Sequence, residues 1–151
     1  MLRLISGGQT GVDRAALDVA LEFGLPCGGW CPRGRRAEDG PIPAHYPLQE
    51  LDSATYPPRT ERNIIDSDGT LVITGGPLRN GTRLTVELAL RHGRPLLVVD
   101  LREHPGPRDA CEWLKVLDIR CLNVAGPRES SQPGISAAAR AYLRALLAAA
   151  T

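Results

Sequence analysis

The sequence predicts an α/β domain of Rossmann type, with a mostly parallel sheet of five strands, or slightly more, and helices on both faces. Three observations carry that expectation. Short apolar runs alternate with segments whose apolar residues recur at helical spacing, the pattern of right-handed strand–helix–strand crossovers. Two of the runs, ending at Ser6 and Thr74, pass directly into glycines and then a helix. No repeat or linker divides the 151 residues, so one domain over residues 1–151 is expected.

Leu2 to Ser6 reads as a short buried strand and Gly7 to Gly11 as a tight loop. Val12, Ala16, Val19, Ala20 and Phe23 then follow helical spacing, and Gly24 is placed to stop that helix. Cys27 to Trp30 makes a second strand. Residues 31–58 carry six prolines without periodicity and read as a long loop, a feature that in a compact domain is functional or disordered. Thr60 can cap a short helix running to about Asp66. Gly69 to Thr74 is the third strand, and a helix from near Thr82 is closed by Gly93. Pro95 to Asp100 is so apolar that a central strand is expected. A helix from Pro107 or Arg108 to Leu117, a fifth strand from Ile119 to Val124 and a helix from about Ile135 complete the chain. Arg140 and Arg144 fall on its expected solvent face.

Composition narrows the function classes. With 18 Lys+Arg, 17 Asp+Glu, 42% hydrophobic and 23% charged residues, the chain is neither disordered nor strongly basic. Nucleic-acid binding through a broad positive field is therefore not expected. All of the 18 basic residues except Lys115 are arginines, which suit phosphate contacts; genome composition gives the same bias. The apolar runs Leu96 to Val99 and Ala145 to Ala150 are far shorter than the ~20 residues of a membrane span. Met1 to Ser6 is too short for a signal-peptide core. Cys27, Cys31, Cys111 and Cys121 are too scattered for a secreted disulfide framework and complete no zinc site, so a cytoplasmic protein without structural metal is expected.

The candidate chemistry lies in three segments. Ser6-Gly7-Gly8-Gln9-Thr10-Gly11-Val12-Asp13-Arg14 joins the first strand to the first helix. Glycines there let a ligand approach the backbone, and a helix N-terminus favours an anion. Its spacing is neither the dinucleotide pattern nor a Walker A loop, and a plain turn packing helix on strand is the simpler alternative. Gly75-Gly76-Pro77-Leu78-Arg79-Asn80-Gly81-Thr82-Arg83-Leu84-Thr85 repeats that architecture after the third strand. Two such loops at the carboxyl ends of parallel strands form two walls of one crevice, the usual ligand position in open α/β sheets. In the third segment, Gly29 to Gly40, Arg33, Arg35 and Arg36 can clamp an anion and Trp30 can stack on a ring, unless Glu38 and Asp39 neutralise the arginines. His45, His92 and His104 have no nucleophile partner in sequence. Asp13, Asp39, Glu61 and Glu87 are the acidic residues nearest the expected crevice, and nothing in the sequence selects one as a general base.

The segments Ser6 to Asp18, Gly29 to Gly40, Tyr46-Pro47-Leu48, Arg59 to Asn63, Ser67 to Thr70 and Gly81-Thr82-Arg83-Leu84-Thr85 together resemble the molybdenum carrier (molybdenum cofactor carrier protein) family. They cover most of residues 5–90 in order. That family is Rossmann-like and related to the Lonely-guy type phosphoribohydrolases and the DNA-processing proteins of natural transformation. The resemblance implies a homo-oligomer, dimer or tetramer, that binds molybdenum cofactor (molybdopterin), a phosphorylated pterin, and carries it without chemistry of its own. On that reading Ser6, Gly7, Gly8, Gln9, Thr10, Gly11, Asp13 and Arg14 hold the phosphate. Gly75, Gly76, Gly81, Thr82 and Thr85 form the opposite wall, Arg33 and Arg36 close over the anion, and Trp30 lies near the ring. The alternatives are a nucleotide-ligand sensor and a nucleotide 5′-monophosphate phosphoribohydrolase. The relatives' P-G-G-x-G-T-x-x-E motif carries a catalytic glutamate. Its place is held here by Thr85, and Glu87 lies two residues later, about 200° round a helix.

Overall fold

The computed structural model describes residues 1–150; Thr151, the last residue of the expected domain, lies outside the described residues. Thirteen segments follow the chain: β1 (Arg3–Ile5), α1 (Val12–Glu22), β2 (Cys27–Gly28), β3 (Trp30–Cys31), β4 (Gln49–Glu50), α2 (Tyr56–Ile65), β5 (Gly69–Thr74), α3 (Asn80–Arg91), β6 (Leu96–Asp100), a 3₁₀ turn (Leu101–Glu103), α4 (Arg108–Val116), β7 (Cys121–Ala125) and α5 (Ile135–Ala150). The main sheet has five parallel strands in the order β2-β1-β7-β5-β6, and β3 and β4 form a separate parallel pair. It is the expected α/β, Rossmann-like sheet with helices on both faces.

Alternation along the strands explains the two layers. Leu71 and Ile73 of β5, with Leu122 and Val124 of β7, face the principal core, which α1, α4 and α5 cover with Val12, Val19, Leu114, Leu143 and Leu147. The other face, under α2 and α3, holds a small cluster of Ile64, Leu88 and Ala89. There Asn123 Nδ2 donates to Thr70 Oγ1 across the β5–β7 pairing at 3.2 Å, which satisfies two buried polar groups.

Four expectations are corrected. The apolar run at residues 95–100 forms β6, an edge strand rather than a central one. Its Leu97 and Val99 reach the principal core and Leu96 the smaller cluster, so helices on both faces make an edge strand as apolar as an inner one, while Val98 stays 40% exposed. The central strand is β7, paired with β1 on one side and β5 on the other. Helix α2 starts at Tyr56, four residues before Thr60, with prolines in its first turn, where no N–H is needed and φ is already helical; the Thr60 hydroxyl donates to the Tyr56 carbonyl at 3.2 Å.

Residues 31–58 do not form a featureless loop. They contain β4 and pack Cys31, Ala37, Ile42 and Tyr46 against Leu17 of α1. Arg35 organises the turn by donating to the carbonyls of Ile42, Pro43 and Tyr46 at 3.0, 2.7 and 2.9 Å. Finally, Arg140 and Arg144 pair with Asp18 at 3.3 Å and Glu22 at 3.0 Å, tying α5 to α1 instead of lying free in solvent.

The strand order yields a paired prediction. Leu122→Ala, in the fully buried centre of β7, should cost about 2–5 kcal/mol. Val98→Ala on the exposed edge should cost less than about 1 kcal/mol. Urea titrations of both variants check this, and equal losses would contradict the central place of β7.

Candidate functional site

A cavity of about 960 Å³ opens at the carboxyl ends of the strands, at the large end of the range for small-molecule sites. Its walls come from five places, one of them Leu101 and Arg102 after β6. The first loop and α1 supply Gln9 and Asp13, and α2 supplies Tyr56, Arg59 and Thr60. The segment after β5 supplies Gly75 to Pro77 and Arg79 to Thr85 without Arg83, and the segment after β7 supplies Ala125 to Arg128 and Ser131 to Ile135. The direction in which successive strands are added across the sheet reverses between the β1–α1–β2 and β5–α3–β6 units, with β7 inserted between them, which places the cavity at the reversal.

The first glycine loop is already filled by the protein. A side chain at Gly7 would overlap the Arg59 guanidinium, one at Gly8 the Leu48 side chain, and one at Gly11 the Pro127 carbonyl. The amide of Gln9 donates to Asp13 Oδ2 at 3.2 Å, that of Gly8 to Ser6 Oγ at 3.4 Å and that of Val12 to the Pro127 carbonyl at 3.2 Å. These glycines therefore allow close approach by the chain itself. The N-terminus of α5 is occupied as well, because Glu129 accepts from the amides of Gly134 and Ser136 at 2.6 and 3.0 Å.

Helix α3 differs. No side chain caps it, and N–H groups bonded back to Arg79 begin only at Thr82. A Cβ added at Gly81 would meet open space. The first turn of a 12-residue helix thus faces the cavity with its positive end open. Arg59, Arg79, Arg102 and Arg128 add positive charge. Asp13 is the only carboxylate among the described residues lining the cavity. Arg102 is held by Asp100 at 2.7 Å, and Arg128 lies 4.0 Å from Glu38.

Asp13 and Arg59 form a buried pair separated by 3.5 Å, with side chains 5% and 13% exposed. Burial pushes the Asp13 carboxyl up to about 6, against the opposing pull of Arg59 and the amides of Gln9 and Gly7. Burial also lowers the Arg59 pKa from its usual value. Arg59 Nε has no hydrogen-bond partner, and neither has Gln9 Oε1. Both residues line the same cavity.

Of the residues singled out from sequence, the structure brings Gln9, Asp13, Gly75, Gly76, Gly81, Thr82 and Thr85 together on the cavity wall. Ser6, Gly7, Gly8, Thr10 and Gly11 lie behind it. Arg14 donates to the Gly8 carbonyl at 3.0 Å and to both oxygens of Asp39 at 2.5 and 2.8 Å, so its charge is neutralised away from the cavity. Trp30 lines a separate pocket with Arg3, Asp66 and Cys121, donates to Asp66 at 2.7 Å and lies under Arg62. Arg33 pairs with Asp52 at 3.6 Å in the open, and Arg36 lies 5.6 Å from the centre of the Tyr56 ring. Thr10 and Ser130 both bind Glu38, which fastens the 31–58 segment to the loop after β7.

Sequence reasoning takes the stretch Tyr56 to Asn63 only as polar groups before the third strand and Arg79 only as part of the second glycine loop, and it leaves out the wall at 125–135. The last carries the same signal as the two loops that were read, a strand running into glycine before a helix: Val124-Ala125-Gly126-Pro127, then Gly134-Ile135. Among the other acidic candidates, Glu61 pairs with His92 at 3.0 Å and Glu87 with Arg83 at 3.1 Å, both outside the cavity. Among the described residues no group of His, Cys, Asp and Glu is placed to hold a metal ion, and no helix is long and apolar enough to cross a membrane.

Comparison with known proteins identifies relatives of the whole fold. The model of a family described as circularly permutated YpsA SLOG matches residues 4–147. A crystal structure from Syntrophus aciditrophicus SB, named "Putative molybdenum carrier protein", is 44% identical over 97% of this chain and 95% of its own, with a TM-score of 0.92. No curated protein gives a significant match.

The buried carboxyl has a measurable consequence. The unfolded chain gives up this proton near 3.8 and the folded one near 6, so the Asp13 contribution lowers stability as pH rises through that window, and the loss is complete above it. Asp13→Asn removes that slope, a difference of up to roughly 3 kcal/mol between the ends of the window. The loss of a counterion for Arg59 shifts the variant by the same amount at both ends. Urea titrations of both proteins at pH 4 and pH 7 should show the variant gaining on the wild type at the higher pH; parallel profiles would disprove the assignment.

Proposed function

Since the chain belongs to the circularly permutated YpsA SLOG family, we propose that its cavity binds a phosphorylated heterocycle, with molybdenum cofactor as the ligand carried. The observation that supports this most is the open, uncapped start of α3 beside the buried guanidinium of Arg59. A phosphate at that position meets free backbone N–H groups, a helix dipole and a cation that has little solvent to give up. The rest of the cavity, bounded by Tyr56, Leu84, Leu101 and Ile135, gives a flat heterocycle apolar walls. The likeness to a structure named as a molybdenum carrier is the reason for choosing this pterin.

The anion belongs at the second glycine loop, not at the first. Amides of the first loop already serve Asp13 and Ser6, and a phosphate there would stand against the Asp13 carboxylate. A carrier role fits a cavity whose charged groups among the described residues are four arginines and one carboxylate. A hydrolase would have Asp13 as its one carboxylate there, and that group is held by Arg59 and backbone amides at the base of α1.

Two glycine variants separate the loops. Gly81→Asp places a carboxylate in the first turn of α3, where it suits the helix and has room. It should leave the melting temperature unchanged or raised while weakening phosphate-ligand binding tenfold or more. Gly8→Asp meets Leu48 and Ile42 at φ +73°, so it should lower the melting temperature by several degrees whether or not ligand is present. Thermal melts with and without ligand read both effects. The ligand itself is identified by native mass spectrometry of protein made in a host able to synthesise molybdenum cofactor, followed by pterin fluorescence after denaturation. A bound mass equal to the cofactor with matching pterin is expected, and an empty protein would refute the carrier reading.

A further inference from the structure

We propose that Gln9 is the specificity-determining residue of the cavity, reading a ring N–H of the heterocycle through its side-chain carbonyl. The proposal rests on the binding reading above and adds the orientation and the hydrogen-bonding type of the ligand.

The argument begins with an orphan. Gln9 is 4% exposed, and its Oε1 has no hydrogen-bond partner. A buried amide oxygen left without a donor is costly, and native structures rarely keep one without a reason. The orientation of the amide is fixed by its other end, since Nε2 donates to the carbonyl of Arg36 at 2.8 Å. Turning the group over would set Oε1 against that carbonyl, acceptor against acceptor. Arg36 therefore uses its backbone, not its charge, to decide what Gln9 offers the cavity. The offer is an acceptor.

An acceptor repels phosphate and any ring nitrogen with a free lone pair, and it attracts N–H. The sequence places Gln9 among residues that donate to the anion; the unpaired Oε1 suits a ring N–H instead. With the anionic pole at the start of α3, the ligand lies across the cavity, its phosphate on α3 and the N–H edge of its ring toward the first loop. The second orphan lining the cavity, Arg59 Nε, is a donor and matches a phosphoryl oxygen. A heterocycle with a ring N–H at one end and a phosphate at the other supplies both complements. Because both orphan atoms are shut off from solvent, water does not meet their need.

The test uses probes that differ by one hydrogen-bond donor. Inosine 5′-monophosphate has one ring N–H, beside a carbonyl, and its N1-methyl derivative has none; ribose 5-phosphate carries the anion without the ring. Calorimetry on the unaltered protein should show inosine monophosphate binding at least tenfold tighter than the methylated compound, the scale of leaving one buried acceptor unpaired. In Gln9→Leu the two should come within about threefold of each other, with ribose 5-phosphate bound as in the wild type. A wild-type preference under threefold, or one that persists undiminished in Gln9→Leu, overturns the role of Gln9 while leaving the binding reading intact. Failure of all three phosphates to bind the wild type overturns that reading and this inference with it. The comparison on unaltered protein stands even where the variant folds poorly.

Discussion

The carboxylate of Asp13 is the tie on which the ligand end of the molecule depends. It sits at the start of α1, accepts the amide of Gln9, and draws the Arg59 guanidinium of α2 over Gly7. That single group closes the first loop, fixes one helix against another and brings a cation into a place where none would otherwise stay. Removing a carboxylate from water is unfavourable, as the upward displacement of its proton affinity shows. The fold tolerates the arrangement because Arg59 and the surrounding N–H groups return part of what burial takes away. The same pairing leaves Arg59 only partly satisfied, since its contact with Asp13 is long at 3.5 Å and its Nε is free. A guanidinium in that condition is receptive to a second anion.

Several helix N-termini lie near the carboxyl edge of the sheet, and those of α1, α3 and α5 are not equivalent. Asp13 serves the loop before α1, Glu129 serves α5, and the first turn of α3 has no carboxylate. Internal carboxylates thus act as stoppers on two positive ends and leave the third for a ligand. The 31–58 segment supports this division. Asp39 withdraws Arg14 from the cavity, and Glu38 joins Thr10 to Ser130, so two acidic residues hold the outer loops in place.

Much of the fold was legible because strand runs and helical spacing are local signals. The β1-loop-α1 and β5-loop-α3 junctions were read with nearly correct boundaries. The rank of β6 was not, because an edge strand covered by helices on both faces carries the same Leu-Leu-Val-Val run as an inner one. Within the site, residue type was legible and direction was not. Arg14, Arg33 and Trp30 have side chains that could bind an anion or ring, yet each already has a partner elsewhere: Asp39, Asp52 and Asp66. Such pairings span 36 residues or fewer in sequence and leave no periodic trace. Arg59 was hidden because it looks like one more arginine in a polar stretch, and only Gly7, 52 positions earlier, makes room for it.

The central position of β7 has a kinetic meaning. Until residues 121–125 are in place, β1 with β2 and β5 with β6 are two separate pairs of strands with no hydrogen bonds between them. The last strand in sequence joins them, pairing with Arg3 to Ile5 at one side and with Gly69 to Val72 at the other. A large part of the loop-closure entropy therefore falls due at one late step. During synthesis the chain must wait with two open inner edges, each a template for the wrong strand. Folding speed should consequently be governed less by the strength of any one core contact than by how quickly this final insertion is made.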